Sequence, residues 1–307
     1  MTEQKIDIAT INSFANLELL AQQVVEGFIT GLHKSPFHGF SVEFAEHRLY
    51  NGGESVKNID WKLFARTDKL FVKRFEEETN LRCQIVIDAS SSMFYPDKGL
   101  SKFKFSVMAA ACLMQLLKRQ RDAFGLSVFA QNIEVHTATK STYAHQKFLY
   151  NALENILNRE NKNNQTYIAD NLHALAEQLH KRSMVVIFSD MMENQLSHQN
   201  QETLFAALQH LKYNKHEVII FNVHEQQHEL NFDFENRPHH FIDTETGTEL
   251  KVNPTLIKAS YLEKLRMFKK ELDLKCAQYK IDLIDAAVEN GFNTVLNSWL
   301  IKRNKMG

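Results

Sequence analysis

Two kinds of hydrophobic pattern alternate along most of this chain. Short apolar runs that suit buried strands occupy residues 84–87, 184–188, 218–223 and 281–284. Apolar residues at helical spacing occupy residues 103–117, 144–159, 168–181, 201–213, 255–279 and 292–303. Two further stretches, 124–135 and 241–252, predict hairpins with turns at Gln131–Asn132 and Thr246–Gly247. This alternation predicts a doubly wound α/β fold, a mostly parallel sheet with helices on both faces.

The first 80 residues follow a different pattern. A helix is predicted over residues 17–32, ending near Gly31, and a weak strand near residues 70–75. Between them, aromatic, charged and glycine residues mix without a clear period. We therefore predict an N-terminal segment, residues 1–80, packed against an α/β domain of residues 81–307.

Composition narrows the function classes. The net charge of −1 provides no overall attraction to nucleic acid or to an acidic membrane. No run of about 18 apolar residues occurs, and the N-terminus lacks a signal-peptide pattern. Three widely spaced cysteines, Cys83, Cys112 and Cys276, indicate reduced, buried thiols. These features predict a cytoplasmic protein that neither binds nucleic acid nor inserts into a membrane.

Polar oxygen-bearing residues follow two of the predicted strands. Asp88 ends the first strand and begins the pattern D-x-S-x-S with Ser90 and Ser92, and Asp190 follows a later strand. Thr166 lies in a polar loop before the helix that leads to Asp190. Because the carboxyl ends of parallel strands share one edge of a sheet, these five side chains can meet there.

Two interpretations of these residues compete. The aspartates and hydroxyls could simply accept backbone N–H bonds, with Ser92 and Thr166 as helix N-caps and Asp190 as the cap of another helix. Alternatively, two shielded carboxylates repel each other unless a positive charge or a proton lies between them, and Mg²⁺ prefers oxygen ligands of this kind. The D-x-S-x-S pattern, the later threonine and the second strand-end aspartate occur in this order and on these elements. Together they favour a site for Mg²⁺, with Mn²⁺ or Ca²⁺ as substitutes.

The same residues resemble the metal-ion-dependent adhesion site of von Willebrand factor A domains. The resemblance implies that Ser90 and Ser92 bind the metal directly. It implies that Thr166 binds the metal directly or through water, and that Asp88 and Asp190 act largely through water.

The N-terminal segment resembles the signature of family 58 of the domains of unknown function. The matching residues are Glu43, Phe44, Arg48, Tyr50, Gly53, Ile59, Asp60, Trp61, Ala65 and Arg66. The sequence SDMME at 189–193 also resembles that family's S-D-L-L-D. Glu54, Ser55 and Lys57 depart from the family's usual Asp-Asp and Arg.

The role of this signature is open between two interpretations. Arg48, Asp60 and Arg66 could form a buried ion-pair network beneath Trp61, which we favour, or the segment could form a second binding site.

Two function hypotheses follow. The first is a non-enzymatic interaction protein whose metal captures an acidic side chain. The family resemblance implies a MoxR-type AAA+ ATPase as partner, together with an unidentified client protein. The second is a metal-dependent hydrolase of phosphate esters, which would need a positioned base and charge-stabilising groups beside the ion. Neutral hydroxyl ligands favour the first hypothesis, so no catalytic residue is predicted.

Overall fold

The computed structural model of the protein describes residues 16–33, 47–49, 61–73, 81–157, 167–192, 198–244 and 247–306. Contacts divide the chain into two compact units, one of Met1–Phe28 with Leu81–Gly307 and one of Ile29–Asn80. Most of the first described helix therefore belongs with the α/β unit. The division at residue 80 stays a prediction.

The described residues before Asn80 form two helices and a small strand pair. The elements are α1 (Leu17–His33), β1 (His47–Leu49), α2 (Trp61–Thr67) and β2 (Phe71–Lys73). Strands β1 and β2 pair antiparallel. The predicted helix over 17–32 and the strand within 70–75 are confirmed, whereas β1 and α2 were not predicted.

The larger unit contains the alternating elements that the hydrophobic pattern predicts. Its strands are β3 (Arg82–Asp88), β4 (Ala123–Phe129), β5 (Ile133–His136), β6 (Met184–Ser189), β7 (Glu217–His224), β8 (His239–Ile242), β9 (Glu249–Val252) and β10 (Asp282–Ala287). Its helices are α3 (Lys102–Arg119), α4 (Tyr143–Leu157), α5 (Ile168–Gln178), α6 (His198–Tyr213), α7 (Pro254–Tyr279) and α8 (Asn293–Met306). Three short turns, Ser91–Phe94, Gln226–Leu230 and Val288–Asn290, were not predicted.

A six-stranded sheet in the order β10-β7-β6-β3-β4-β5 forms the centre of this unit. All neighbouring pairs are parallel except β4 and β5, which form the predicted hairpin. Strands β8 and β9 form the second predicted hairpin. The structure is therefore a mixed α/β fold with a mostly parallel sheet, as predicted.

The connections place a strand-order reversal beside β3. The chain passes from β3 to β4 on one side, and later returns to β6 on the other side of β3. Ligands of open α/β sheets bind beyond the carboxyl ends of the strands at such a reversal. The ends of β3 and β6 are therefore the natural position for a site.

The core explains why these elements form. All residues of β6 are buried, as are those of β3 after Arg82, as expected for central strands covered on both faces. Helix α3 is buried along nearly its whole length, which matches its apolar sequence. Ser101 caps this helix by accepting a hydrogen bond from the Lys104 backbone N–H.

Within the described ranges, no helix combines the length and the hydropathy that crossing a bilayer requires.

Candidate functional site

The carboxyl ends of β3 and β6 bring the two predicted aspartates to one place. Ile87 pairs with Phe188 in the parallel register, so Asp88 and Ser189 are adjacent at the strand ends. The Ser189 hydroxyl donates to Asp88 Oδ2 at 2.6 Å. Asp88 and Asp190 are both buried. Register and topology thus place two carboxylates in a region largely closed to water.

The turn after β3 supplies the two serine hydroxyls. The Ser90 backbone N–H donates to Asp88 Oδ1 at 2.8 Å, which folds the turn back onto the strand end. The hydroxyl oxygens of Ser90 and Ser92 lie 3.1 Å apart. The two-residue spacing in D-x-S-x-S therefore brings both hydroxyls to a common region, as the pattern predicts.

A buried lysine that was not predicted neutralises one of the aspartates. Lys102 Nζ, at the first turn of α3, donates to Asp190 Oδ2 at 2.8 Å and to Glu229 Oε1 at 2.5 Å. Its side chain is fully buried. Glu229 lies in the Gln226–Leu230 turn after β7, and its other oxygen accepts the Glu225 backbone N–H. One ammonium therefore joins two carboxylates from distant parts of the chain.

The two aspartates have opposite pKa shifts. Burial raises the pKa of Asp88 to about 7, and repulsion by Asp190 adds to this, while hydrogen bonds from Ser189 and Ser90 oppose it. Burial also disfavours ionised Asp190, but the attraction of Lys102 holds the pKa of Asp190 below its ordinary value. Asp190 is therefore the ionised partner of the lysine, and Asp88 has no cation of its own within hydrogen-bonding distance among the described residues.

The other two members of the charged cluster respond to the same pairing. Burial disfavours a charged lysine, yet the attraction of Asp190 and Glu229 raises the pKa of Lys102. Burial raises the pKa of Glu229, and Lys102 offsets only part of that effect. Two carboxylates thus share the Lys102 ammonium and Asp88 adds a third beside them, so full ionisation of all three would leave two negative charges unbalanced.

The competing capping interpretation is correct in part. Asp88 and Asp190 each accept a nearby backbone N–H, the latter from Met192 at 3.1 Å. Ser92, however, lies inside the Ser91–Phe94 turn and is not the N-cap of α3, because Ser101 has that position. Thr166 lies outside the described residues.

The residues present fit a hard divalent cation when hydroxyls are counted as ligands. No group of three or more His, Cys, Asp or Glu side chains suitable for a metal occurs in the described part of the chain. A cation here would thus depend on Ser90 and Ser92, whose 3.1 Å separation is close to the roughly 3 Å between adjacent oxygens of octahedral Mg²⁺. Because Lys102 occupies Asp190 Oδ2, Asp190 would act through its other oxygen or through water.

Comparison with known families confirms the resemblance to family 58 of the domains of unknown function. Residues 46–270 match the family model described as protein of unknown function DUF58. The chain belongs to the DUF58 family. The match includes the Arg48–Arg66 part of the N-terminal signature, both aspartates, both serines, Lys102 and Glu229.

Two mycobacterial relatives match about one third of the chain. The chain is 32% identical over 97 residues to the uncharacterized proteins Rv1480 of Mycobacterium tuberculosis and Mb1516 of Mycobacterium bovis. The alignment covers 32% of this chain and spans only 31% of each relative's length.

Two solved structures align with most of this chain at low similarity. One is an aerotolerance-related membrane protein from Bacteroides fragilis carrying multiple mutations to serine, with 15% identity and a TM-score of 0.42. It aligns over 72% of this chain and 99% of its own. The other is the conserved hypothetical protein BatB from Bacteroides thetaiotaomicron, with 14% identity, a TM-score of 0.40 and coverage of 73% and 99%.

The DUF58 signature before the sheet domain is described only in part. The Arg66 side chain is exposed, which removes it from the expected buried ion-pair network. The side chains of Arg48, Asp60 and Trp61 lie outside the described residues. Arg66 lies in the last turn of the short helix α2 and needs no buried partner there.

Proposed function

We propose that this DUF58 protein is a non-enzymatic, metal-dependent protein-interaction module. The observation that carries the proposal is the convergence of the Ser90 and Ser92 hydroxyls on two buried aspartates, of which Asp88 has no cation beside it among the described residues. A divalent cation would balance the charge that Lys102 leaves unbalanced.

The proposed ligands divide into direct and indirect groups, as in von Willebrand factor A domains. Ser90 and Ser92 would bind Mg²⁺ directly, Thr166 directly or through water, and Asp88 and Asp190 mainly through water. Bound Mg²⁺ would supply an open coordination position for a carboxylate of another protein. Neutral hydroxyl ligands would keep that position attractive to an anion.

The buried lysine supports interaction over catalysis. A phosphate-ester hydrolase needs a positive group that is free to stabilise the transition state. The Lys102 ammonium is instead held between Asp190 and Glu229. We therefore rank the hydrolase below the interaction module.

We further propose a MoxR-type AAA+ ATPase as the partner, with a client protein still to be identified. The proposed ATPase partner rests on what the family resemblance implies. One carboxylate contact is weak in water, so a stable complex needs a total interface of roughly 1,200 Å² or more. The metal would select the partner at the centre of that interface.

Calorimetric titration tests the metal site. Mg²⁺ or Mn²⁺ should bind with a stoichiometry of one, and Asp88→Ala or the double variant Ser90→Ala/Ser92→Ala should weaken binding at least about tenfold. Asp285→Asn is the matched control, because Asp285 lies on β10 of the same sheet but pairs with Lys269 at 2.6 Å. Equal affinity in wild type and the Ser90/Ser92 variant would remove the assignment.

Affinity capture from native lysate tests the partner. An AAA+ ATPase should be retained with Mg²⁺ and lost with chelator, while Asp285→Asn retains it. Asp88→Ala should also lose it, with folding checked by circular dichroism. Equally strong capture of the ATPase in chelator would show that the metal is not the contact. Capture that retains no AAA+ ATPase would refute the proposed partner.

A further inference from the structure

Two histidine rings meet on the surface formed by α5 and α6. His173 of α5 and His210 of α6 have their Nδ1 atoms 3.0 Å apart, with ring centroids 5.2 Å apart and planes inclined by 43°. The residues belong to helices packed side by side against the sheet, and neither contacts the aspartate site through any described hydrogen bond.

A carboxylate sets the orientation and the tautomer of one ring. His210 Nε2 lies 3.1 Å from Glu177 Oε1, so in the neutral ring Nε2 carries the proton and donates to the carboxylate. The lone pair of His210 is then on Nδ1 and faces His173. The present contact between the rings is accordingly a hydrogen bond from His173 Nδ1–H to His210 Nδ1.

The spacing of the two nitrogens suits a particular metal geometry. Imidazole nitrogens bind divalent transition metals at about 2.0–2.1 Å, so two of them at a right angle lie roughly 2.9–3.0 Å apart. Tetrahedral ligands would lie roughly 3.4 Å apart at the same bond length. The observed 3.0 Å therefore equals the separation of adjacent ligands of a square-planar or octahedral ion, although the 5.2 Å between ring centroids shows that the two Nδ1 atoms now point at each other, so each ring must turn to face the ion.

We propose that His173 and His210 bind a divalent transition metal of the Ni²⁺ or Cu²⁺ class through their Nδ1 atoms, linking α5 to α6. For neutral His173, binding needs the transfer of its ring proton from Nδ1 to Nε2 through solvent and a rotation of both rings that turns their Nδ1 lone pairs towards the metal. Water fills the remaining coordination positions.

Glu177 is a positioning residue in this proposal. Its carboxylate holds the far nitrogen of His210, as carboxylates commonly do for metal-binding histidines. The His210 side chain is 24% exposed and that of Glu177 is 73% exposed, so a metal ion reaches the rings from solvent. The exposure also means that polar replacements here leave the core intact.

Calorimetric titration of untagged protein with Ni²⁺, in excess Mg²⁺, tests the site. One tight Ni²⁺ should bind, and His173→Gln or His210→Gln should each weaken it by at least about tenfold, with Glu177→Gln about tenfold. The Cu²⁺ complex should also show nitrogen hyperfine coupling from two rings by electron paramagnetic resonance, reduced to one ring in either histidine variant.

The chain has 14 histidines, so a matched histidine control is needed. His240 pairs with Glu249 at 2.8 Å on the β8–β9 hairpin and makes no hydrogen bond to a second histidine ring among the described residues. His240→Gln and Asp88→Ala should both retain the tight Ni²⁺, with native circular dichroism confirmed for every variant. Unchanged Ni²⁺ affinity in folded His173→Gln and His210→Gln, or an equal loss in His240→Gln, would overturn the proposal.

Discussion

The ends of β3 and β6 resemble each other in sequence and differ in electrostatics. Each is a buried parallel strand that leads into an aspartate, and each aspartate accepts a backbone N–H two residues on. Yet the pKa of Asp88 is raised to about 7, while that of Asp190 is lowered. The difference comes from Lys102, which contacts Asp190 and not Asp88. Equivalent positions in a sheet can thus hold one carboxylate that is paired with a cation and one that is buried without a cation.

Removing Lys102, which causes the difference between the two strand ends, should have the largest effect on stability. Lys102→Met leaves Asp190 and Glu229 buried without their cation, so the free energy of unfolding should fall by about 3–5 kcal/mol in urea titrations. Lys118→Met is the control, because Lys118 and Glu18 form a partly exposed pair that should contribute only about 0–1 kcal/mol. Equal losses in both variants would contradict the importance of the buried pair.

Neutralising each aspartate in turn should separate the two strand ends. Asp190→Asn weakens a charged hydrogen bond to Lys102 and should cost about 2–3 kcal/mol in metal-free protein. Asp88→Asn removes a repelled charge and keeps an acceptor for the Ser90 N–H, but it loses the acceptor of the Ser189 hydroxyl, so it should cost no more than about 1 kcal/mol. Unfolding curves in chelator measure both, and a similar cost for the two variants would show that the strand ends are equivalent.

The pH dependence of stability should identify Asp88. Because its folded-state pKa is raised to about 7 from 3.8, its contribution is fully present below about pH 4 and is lost as the pH rises through 7. Between pH 5 and pH 8, metal-free wild type should therefore lose about 2–3 kcal/mol more than Asp88→Asn. Parallel curves for wild type and variant over this range would argue against the raised pKa.

The smallest effect is expected at the hydroxyl between the strand ends. Ser189 Oγ donates to Asp88 Oδ2 and accepts the Met191 N–H, so Ser189→Ala should cost about 1 kcal/mol in urea titrations. Ser106→Ala is a suitable control, since its buried hydroxyl donates only to the Lys102 carbonyl within α3. A loss in Ser189→Ala above that of Lys102→Met would reverse the proposed order of importance.

The sequence was sufficient to predict the sheet and the meeting of Asp88, Ser90, Ser92 and Asp190. The carboxyl ends of parallel strands lie along one edge of the sheet. The hydrophobic pattern and the order of the elements therefore determine which strand-end residues lie close together. The two hairpins were predictable for a similar reason, because turn residues separate adjacent apolar runs.

Lys102 and Glu229 could not be predicted in the same way, because their pairing joins residues 127 apart in sequence through a side-chain contact. One signal was present. A lysine in the first turn of an apolar helix is disfavoured by the helix dipole, and charged residues are rarely buried without a partner. His173 and His210 lie on different helices, so their meeting depends on how α5 and α6 pack.

The central position of β3 has a consequence for hydrogen exchange. Its backbone is paired on both sides by parallel neighbours, so its amides should open only with the whole sheet. Glu229 comes instead from a turn whose residues are not fully buried. One wall of the candidate site should therefore share the slowest exchange in the protein, whereas the wall that holds Lys102 from the other side can open locally and early.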